Sequence, residues 1–318
     1  MKLSMSMCHQ SPRLIGIPTG RLKMDMLCRR WQKERIVIVM GATGTGKSRL
    51  SIDLATQFPA EIINSDKMQV YKGLDTVTNK ITEEEKSGIP HHLLGVVNPY
   101  VDFTATNFCN LASLAIESIC KRGALPIIVG GSNSYIEALV DDEDFIFRSK
   151  YDCCFLWVDV SMPVLHGFVS KRVDQMVKKG MVDEVRKIFD PDADYSRGIR
   201  RSIGVPELDR YLKCESVLEE ENCAKLLHEA VCDIKSNTCH LACRQLEKIH
   251  RLRNLKGWNI HRIDATEVFC KRGKEADEAW KKLVIRPSVS IVGQFLDNAA
   301  PAKNPTPVAE TYFAQCLA

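Results

Sequence analysis

The sequence predicts an α/β fold, in which a parallel sheet carries helices on both faces and a helical subdomain is added. Two observations predict it. In the first half of the chain, short apolar runs rich in β-branched residues alternate with longer amphipathic runs. From residue 161 onward the strand patterns almost vanish and long helical patterns replace them. Alternation of strand and helix favours a parallel sheet covered on both sides.

The strands and helices of the first half can be placed in order. Buried strands are predicted at residues 35–40, at 60–66, at the start of 125–140 and at 153–160. Helices are predicted at 47–58, at 103–123 and after the Gly-Gly turn in 125–140. In the second of these, Thr104 is expected as the N-cap and Gly123 as the end, because both residue types favour those positions.

The second half is predicted to be helical over three stretches before it returns to the sheet. The helical patterns cover 163–180, 181–189 and 219–253, and a strand is expected at 258–265. We therefore expect a leader, an α/β core, a helical subdomain covering the substrate, a return to the core and a loose Pro/Ala-rich tail. Their predicted bounds are 1–35, 36–160, 161–255, 256–296 and 297–318.

Composition excludes several classes of protein. The 318 residues are 45% hydrophobic and 26% charged, which is typical of an ordinary globular protein, and the net charge is +4. That excess suits a phosphorylated substrate and falls short of the basic density of a dedicated nucleic-acid binder. The 13 cysteines lack the spacing of a zinc site or a disulfide framework, so we expect reduced thiols. A membrane span is not expected, because it needs about 18 or more consecutive apolar residues.

The two ends of the chain differ from the rest. Residues 1–35 are basic, rich in Ser and Met and poor in acids, which is typical of an organelle transit peptide. We expect plastid delivery from this leader; a disordered start without an address, and hence a cytoplasmic protein, is the alternative. Cys316 is third from the C-terminus, whereas prenylation requires a cysteine in the fourth position, so no lipid anchor is expected.

Residues 41–48, GATGTGKS, match a phosphate-binding loop in full, through Gly41, Gly46, Lys47 and Ser48. The glycines allow backbone N–H groups to converge on phosphate oxygens, and the helix that follows adds its positive N-terminal end. Lys47 supplies a charge, and the Ser48 hydroxyl suits Mg²⁺. The predicted sheet is therefore similar to that of P-loop NTPases. The motif predicts a bound phosphate group without specifying the reaction.

Asp66 follows the second predicted strand. Because ligands of open parallel sheets lie beyond the carboxyl ends of the strands, Asp66 and the phosphate loop should face one crevice. A carboxylate there can bind Mg²⁺ or accept a proton from an amine or hydroxyl. A turn or helix-capping role is the alternative interpretation.

Further motifs give a specific resemblance. NSDKMQVYKGLD, PHHLLG, VGGSNSY and NTCHLACRQLEKI follow the phosphate loop in this order, up to residue 250. Together they resemble the adenine-N6 isopentenyltransferase family, which includes tRNA dimethylallyltransferases and the plant adenylate isopentenyltransferases that make cytokinins. The resemblance spans about residues 36 to 265 and is strongest to the plant adenylate type.

The resemblance implies a prenyl transfer. The phosphate loop would hold the diphosphate of dimethylallyl diphosphate, which leaves, while the dimethylallyl carbon goes to N6 of adenine. Free ATP or ADP, with AMP as a further candidate, would be the acceptor, and Asp66 would be the base. Mg²⁺ is the implied cofactor. We expect small-molecule substrates, a monomer, and neither a stable nucleic-acid partner nor a membrane.

The same resemblance implies the other site residues. Thr43 and Arg201 would join Asp66 as catalytic residues. The diphosphate would be held by Gly41, Ala42, Gly44, Thr45, Gly46, Lys47, Ser48, Arg172 and Arg200, with Ser48 also on the metal. The nucleotide would contact Thr78, Lys80, Ser132 and Asn133. Three alternatives stay open: either Arg200 or Arg201 can be the phosphate ligand, Arg172 can be a solvated charge, and Ser132 can be a plain N-cap.

Two rival functions use parts of the same sequence. A tRNA dimethylallyltransferase would use the whole core, and a small-molecule kinase would use the phosphate loop with Asp159 as a metal-binding acid. The kinase hypothesis leaves Asp66 and the PHHLLG and VGGSNSY motifs unexplained. The plant-like motifs and the basic leader favour a free adenylate. His91 and His92 are expected to be structural, since neighbouring side chains point apart.

Overall fold

The computed structural model describes residues 33–141 and 147–298. Within these residues a sheet of six parallel strands has the order β3-β2-β4-β1-β5-β6. The strands are β1 Glu34–Met40, β2 Ala60–Asn64, β3 His91–His92, β4 Leu125–Val129, β5 Tyr151–Asp159 and β6 Ile260–Asp264. The predicted α/β class is confirmed. The two-residue strand β3 was not predicted, because it is too short to show a pattern.

Helices cover the sheet and extend beyond it. They are α1 Lys47–Gln57, α2 Glu83–Lys86, α3 Ala105–Lys121, α4 Asn133–Asp141, α5 Phe147–Lys150, α6 Met162–Lys178, α7 Met181–Arg186, α8 Asp209–Cys214, α9 Glu220–Asn254, α10 Thr266–Cys270, α11 Gly273–Trp280 and α12 Arg286–Asp297. Short 3₁₀ segments lie at Gly198–Arg201 and Pro206–Leu208, and a π-helical segment at Lys281–Ile285 joins α11 to α12. None of the helices in 33–141 or 147–298 is long and apolar enough to cross a bilayer.

The central strand β1 explains why the sheet needs helices on both faces. Its side chains alternate between two separate apolar clusters, with Ile36 and Ile38 in one and Val37 and Val39 in the other. All four are fully buried. Burial of such a side chain contributes about 1.5–3 kcal/mol, so both faces favour the folded state.

The predicted start and end of the long helix after β3 are confirmed. The Thr104 side chain accepts a hydrogen bond from the Asn107 backbone N–H at 3.2 Å, while Asn107 bonds back to Thr104. Gly123, just beyond the last turn of α3, has a φ of 72°. A left-handed residue at this position favours glycine and ends the helix.

The predicted return to the sheet is also found, since β6 pairs in parallel with β5 from Phe155↔Ile260 to Asp159↔Asp264. The division into a core and a substrate-covering subdomain at residues 160 and 255 stays a prediction. The predicted leader, apart from 33–35, and the predicted tail beyond 298, with Cys316, lie outside the described residues.

Candidate active site

A cavity of about 980 Å³ lies beyond the carboxyl ends of the strands. The segments that follow β1, β2 and β4 contribute to its wall, as expected for a ligand site on an open parallel sheet. Of the predicted site residues, those that line it are Thr43, Gly44, Gly46, Lys47, Ser48, Asp66, Thr78, Arg172 and Arg201. The chain therefore brings the phosphate loop and Asp66 to one cavity, as the sequence predicted.

Backbone geometry shows why the phosphate loop needs its glycines. Gly44 and Gly46 have φ values of 85° and 89°, in the left-handed region that favours glycine. A Cβ on Gly46 would lie 2.7 Å from the Trp280 ring, and one on Gly41 would lie 2.6 Å from the Val158 carbonyl oxygen. The loop is thus tightly enclosed, and α1 begins immediately after it at Lys47.

Three predicted loop residues do not line the cavity. Gly41 and Ala42 are buried, and so is Thr45, whose Oγ1 donates to the Ala42 carbonyl at 3.0 Å. Thr45 therefore shapes the loop from behind. The Ala42 carbonyl also accepts a hydrogen bond from Lys47 Nζ at 2.7 Å.

The pKa of Lys47 is shifted by its surroundings in the site. Burial lowers the pKa of its ammonium to about 8; Asp66 raises the pKa and Arg172 lowers it. Lys47, Asp66 and Arg172 therefore act on one another although they come from three different parts of the chain. A buried cation with an unusually low pKa gains strongly from an anionic ligand, because the ligand restores its charge.

Arg172, on α6, points into the phosphate loop. Its Nη2 donates to Thr43 Oγ1 at 2.9 Å. Burial lowers the pKa of Arg172 while Asp66 raises it. Its Nε is buried without a hydrogen-bond partner among the described residues. Arg172 therefore differs from a solvated helix charge, and it has a donor to spare for an anion.

Asp66 sits in a turn that its neighbours fix. Its backbone N–H donates to Asn64 Oδ1 at 3.1 Å, and the Met68 N–H donates to its Oδ1 at 2.9 Å. The Asn64 amide also donates to the carbonyls of Asp66 and Leu93. Asp66 Oδ2 has no hydrogen bond within the described part of the chain, so it can accept one from a ligand in the cavity.

The structure separates the two adjacent arginines that the sequence left unresolved. Arg201 lines the cavity and, with Asp66, influences the pKa of Tyr135. Arg200 lies outside the cavity lining. Its guanidinium stacks 5.0 Å from the centroid of the Tyr100 ring and donates to the Ile188 carbonyl at 3.3 Å.

Of the four predicted nucleotide-binding residues, only Thr78 lines the cavity. Lys80 donates to the Gly73 carbonyl at 2.5 Å and to Asp75 Oδ1 at 2.6 Å, which closes its own loop. Ser132 Oγ accepts from the Lys67 backbone N–H at 2.9 Å. Asn133 is buried, and its amide donates to the Gln245 carbonyl at 3.0 Å. These three side chains hold the backbone around the cavity.

Asp159 and the histidine pair can also be placed. Asp159 is buried, and its Oδ2 accepts from Arg262 Nε at 2.7 Å; it does not line the cavity. His92 Nε2 lies 2.7 Å from Glu61 Oε2. His91 lines the cavity, with its Nδ1 2.7 Å from the Ile89 carbonyl.

Two residues that hold the phosphate loop were not among the predicted site residues. Gln245, on α9, accepts at Oε1 from the Thr43 N–H at 2.7 Å and donates from Nε2 to the Gly131 carbonyl at 3.0 Å. Trp280 packs on Gly46 and donates from Nε1 to Asp53 Oδ2 at 2.7 Å. Gln245 lies within the NTCHLACRQLEKI motif, which was the sequence signal that could have found it, and no local pattern marked Trp280.

Comparison with known proteins identifies relatives. The IPP transferase family model matches residues 69–150 and 141–251. The chain is 56% identical to adenylate isopentenyltransferase 3, chloroplastic, of Arabidopsis thaliana, across 100% of this chain and 96% of the relative. It is 53% identical to adenylate isopentenyltransferase 7, mitochondrial, of the same plant, across 96% and 93%.

Solved structures show the same fold. A eukaryotic dimethylallyltransferase acting on tRNA aligns with a TM-score of 0.71 and 24% identity, across 86% of this chain and 82% of that one. The tRNA isopentenylpyrophosphate transferase of Bacillus halodurans aligns with a TM-score of 0.66 and 26% identity, across 84% and 100%.

Proposed function

This chain belongs to the IPP transferase family and, within it, to the adenylate isopentenyltransferases, and we propose that it transfers the dimethylallyl group of dimethylallyl diphosphate to N6 of adenine in free ATP, ADP or AMP. Diphosphate is released. The product is a cytokinin-type nucleotide. The observation that carries this proposal is the single cavity in which Lys47 and Arg172, beside the phosphate loop, share their electrostatic environment with Asp66.

The loop side of the cavity supports departure of the diphosphate. As the allylic C–O bond breaks, its electron pair moves to the diphosphate oxygen. Lys47 and Arg172 are fixed cations there, and the N-terminal N–H groups of α1 add partial positive charge. Donors that are already in place stabilise the developing negative charge without reorganising, and one such donor is worth about 10²–10³-fold in rate.

The Asp66 side supports attack by the adenine amino group. That nitrogen is a weak nucleophile, because its lone pair is delocalised into the ring. As the new C–N bond forms, N6 must lose a proton, and Asp66 Oδ2 is the acceptor that we assign. A placed base of this kind contributes about 10²–10⁴-fold. We further assign Arg201 to the phosphates, since it lines the same cavity.

Mg²⁺ fits the residues of the loop. Ser48 is exposed at the first turn of α1 and lines the cavity. No cluster of three His, Cys, Asp or Glu side chains is found in the described ranges. Mg²⁺ takes few ligands from the protein and the rest from substrate phosphates and water, so a hydroxyl beside the phosphate loop is compatible with it. Bound there with Ser48, it would neutralise charge on the departing diphosphate.

The rival functions have less support. The tRNA enzymes named above share the fold at 24–26% identity, whereas the adenylate enzymes reach 53–56% over almost the whole chain. For the kinase, the carboxylate of Asp159 is engaged by Arg262 and lies outside the cavity lining.

The relatives are named chloroplastic or mitochondrial. We propose plastid delivery by residues 1–35, with the cytoplasm as the alternative. Fusion of these residues to a fluorescent reporter tests this: plastid fluorescence is expected, and a cytosolic signal would overturn it. For the assembly state we propose a monomer, which sedimentation of the purified chain would check.

A comparison of possible acceptors tests the activity. The purified chain is mixed with Mg²⁺ and dimethylallyl diphosphate, and ATP, ADP, AMP and unmodified tRNA are offered separately. Mass spectrometry then detects the prenyl mass. We expect it on free nucleotides and not on tRNA. Product on tRNA alone would move the assignment to the tRNA enzymes, and no product on any acceptor would overturn prenyl transfer.

A further inference from the structure

We propose that Gln245 is a positioning residue that sets the distance between the phosphate loop and the turn carrying Asp66. The proposal rests on the proposed prenyl transfer, which needs the diphosphate and the base at a fixed separation. Gln245 lies outside the cavity lining, so it acts through the two backbone segments that its side chain joins.

The first contact is with the phosphate loop. Gln245 Oε1 accepts a hydrogen bond of 2.7 Å from the Thr43 N–H, across 202 positions of the chain. Arg172 holds the side chain of the same threonine through its Oγ1. Thr43 is therefore fixed by its backbone from α9 and by its side chain from α6.

The second contact is with the turn after β4. Gln245 Nε2 donates to the Gly131 carbonyl at 3.0 Å. The backbone carbonyl of Gln245 accepts from the Asn133 amide at 3.0 Å. A Cβ on Gly131 would lie 2.3 Å from Gln245 Nε2, so only glycine permits this approach.

The turn after β4, Gly130–Gly131, also packs closely against the turn that carries Asp66. A Cβ on Gly130 would lie 2.3 Å from Ser65 Oγ and 2.7 Å from the Asp66 backbone nitrogen. The Ser65 N–H donates to the Val129 carbonyl at 2.8 Å. The contacts thus run from Thr43 through Gln245 and the Gly130–Gly131 turn to Asp66, without a gap.

The chemistry requires an amide. One end of the side chain must accept from an N–H and the other must donate to a carbonyl, and both must do so in a buried place. The Gln amide offers both groups in neutral form at two adjacent atoms, and Asn offers the same pair on a side chain that is shorter by one carbon. Loss of either bond leaves a buried backbone group unsatisfied, so the neighbouring loop must shift.

Two substitutions test the two hydrogen bonds of the Gln245 side chain, one by removing a single bond and one by removing both. Gln245→Glu keeps an acceptor for the Thr43 N–H and places an oxygen against the Gly131 carbonyl. Gln245→Met has a similar volume and loses both bonds. Arg251→Met is the matched control, because Arg251 joins the same helix to Glu137 on α4 and lies outside the cavity lining.

A positioning role predicts a loss in kcat with little change in KM. A misplacement of about 1 Å costs about 10²-fold in rate, so we expect that loss of kcat for Gln245→Met. A loss at least as large is expected for Gln245→Glu, because a buried carboxylate then faces the Gly131 carbonyl. KM for dimethylallyl diphosphate should change little, because Lys47 and Ser48 remain. Arg251→Met should lower Tm without lowering kcat.

A double-mutant cycle with Asp66→Asn provides a readout that a purely structural role would not move. If Gln245 acts by placing Thr43 relative to Asp66, its replacement should cost much less once the Asp66 carboxylate is gone. Equal losses in both backgrounds, or wild-type kcat in the Gln245 variants, would overturn the inference. If Gln245→Met does not fold, Gln245→Glu carries the same cycle. A wild-type chain that forms no prenylated product would instead overturn the proposed function.

Discussion

Arg172 Nη2 donates a hydrogen bond of 2.9 Å to Thr43 Oγ1 and so joins helix α6 to the phosphate loop across 129 positions of the chain. The same guanidinium has a buried Nε without a partner in the described residues, and it interacts electrostatically with both Lys47 and Asp66. A half-buried cation with an unpartnered donor beside a phosphate loop is suited to an anionic ligand.

Replacement of Arg172 should therefore damage catalysis. Arg172→Met should lower kcat about 10²–10³-fold, because a fixed donor to the leaving group is lost. Arg172→Lys should recover only part of the loss, since a lysine cannot reproduce the planar fork of the guanidinium. Steady-state kinetics check this, with Lys178→Met, exposed in the last turn of α6, as the control. Equal effects of Arg172→Met and Lys178→Met would remove Arg172 from the site.

Asp66→Asn should separate binding from turnover. The amide oxygen can still accept from the Met68 N–H, so the turn should persist, while the base is lost. Turnover should fall about 10²-fold or more, and binding of dimethylallyl diphosphate, measured by calorimetry, should survive. Asp264→Asn is a close control: Asp264 is the last residue of β6, and its Oδ1 accepts from the Thr266 N–H at 2.9 Å. Unchanged turnover in Asp66→Asn would show that Asp66 is not the base.

Lys47 should make diphosphate binding depend on pH. Its pKa of about 8 means that the neutral amine dominates in the free protein above that pH. The bound diphosphate favours the ammonium, so binding takes up protons, and affinity should fall as the pH rises beyond 8. Near pH 8 a fraction of a proton should be taken up per dimethylallyl diphosphate bound, because part of the free protein is neutral there, and the uptake should rise with pH.

Calorimetry without an acceptor, in buffers of different ionisation enthalpy, measures this uptake. Lys47→Arg is the matched variant, because its guanidinium stays charged throughout. It should bind with no uptake from this position. A wild-type chain that takes up no proton at pH 8 would contradict the assignment of the shifted pKa to the diphosphate site.

Asp159→Asn tests the kinase interpretation. The buried carboxylate pairs with Arg262, whose side chain is 47% exposed, and the amide oxygen of Asn can still accept from it, so the substitution should cost about 1–3 kcal/mol of stability. Prenyl transfer should stay close to the wild-type rate. If Asp159 were a metal ligand of the reaction, activity and Mg²⁺ dependence would both collapse in this variant. Product formation over a Mg²⁺ titration decides between these outcomes.

Gly46→Ala should show what the contact with Trp280 costs. Both Gly46 and Gly73 have a left-handed φ, of 89° and 74°. A Cβ on Gly73 would meet nothing within 4 Å, whereas one on Gly46 would meet the Trp280 ring at 2.7 Å. Gly73→Ala should therefore cost about 1–2 kcal/mol from the backbone alone. Gly46→Ala should add about 1–3 kcal/mol of overpacking.

Urea unfolding curves of the two variants measure the difference in the free energy of unfolding. We expect Gly46→Ala to be the less stable and to lose affinity for dimethylallyl diphosphate as well. Equal free energies of unfolding would mean that the Trp280 ring can move away from the new Cβ without destabilising the fold.

The fold could be predicted largely from local patterns. The alternation of β1, α1 and β2 and the capping of α3 by Thr104 both depend on residues close in sequence, and both were found. Strand β3 escaped prediction because its two residues pair with β2 only through the tertiary fold. The phosphate loop was also predictable, since backbone geometry demands its glycines at fixed spacing.

The other side chains of the site were harder to predict. Sequence similarity pointed to Arg200, Lys80, Ser132 and Asn133, but none of these lines the cavity. The direction in which each of these side chains points depends on the residues that pack beside it in the folded chain. Arg200 stacks on Tyr100, and the Asn133 side chain donates to the Gln245 backbone carbonyl. Those neighbours are distant in sequence, so no local sequence pattern predicts the contacts.

By itself, the sequence predicted a phosphate-binding loop at residues 41–48 and determined that a parallel α/β sheet carries this loop. Motif order over residues 36–265 determined the family. Only the tertiary structure decided that Arg201 rather than Arg200 faces the cavity, and that Gln245 joins Thr43 to Gly131. The physical reason is range: backbone conformation and burial follow from neighbouring residues, whereas a contact across 202 positions exists only after the chain has packed.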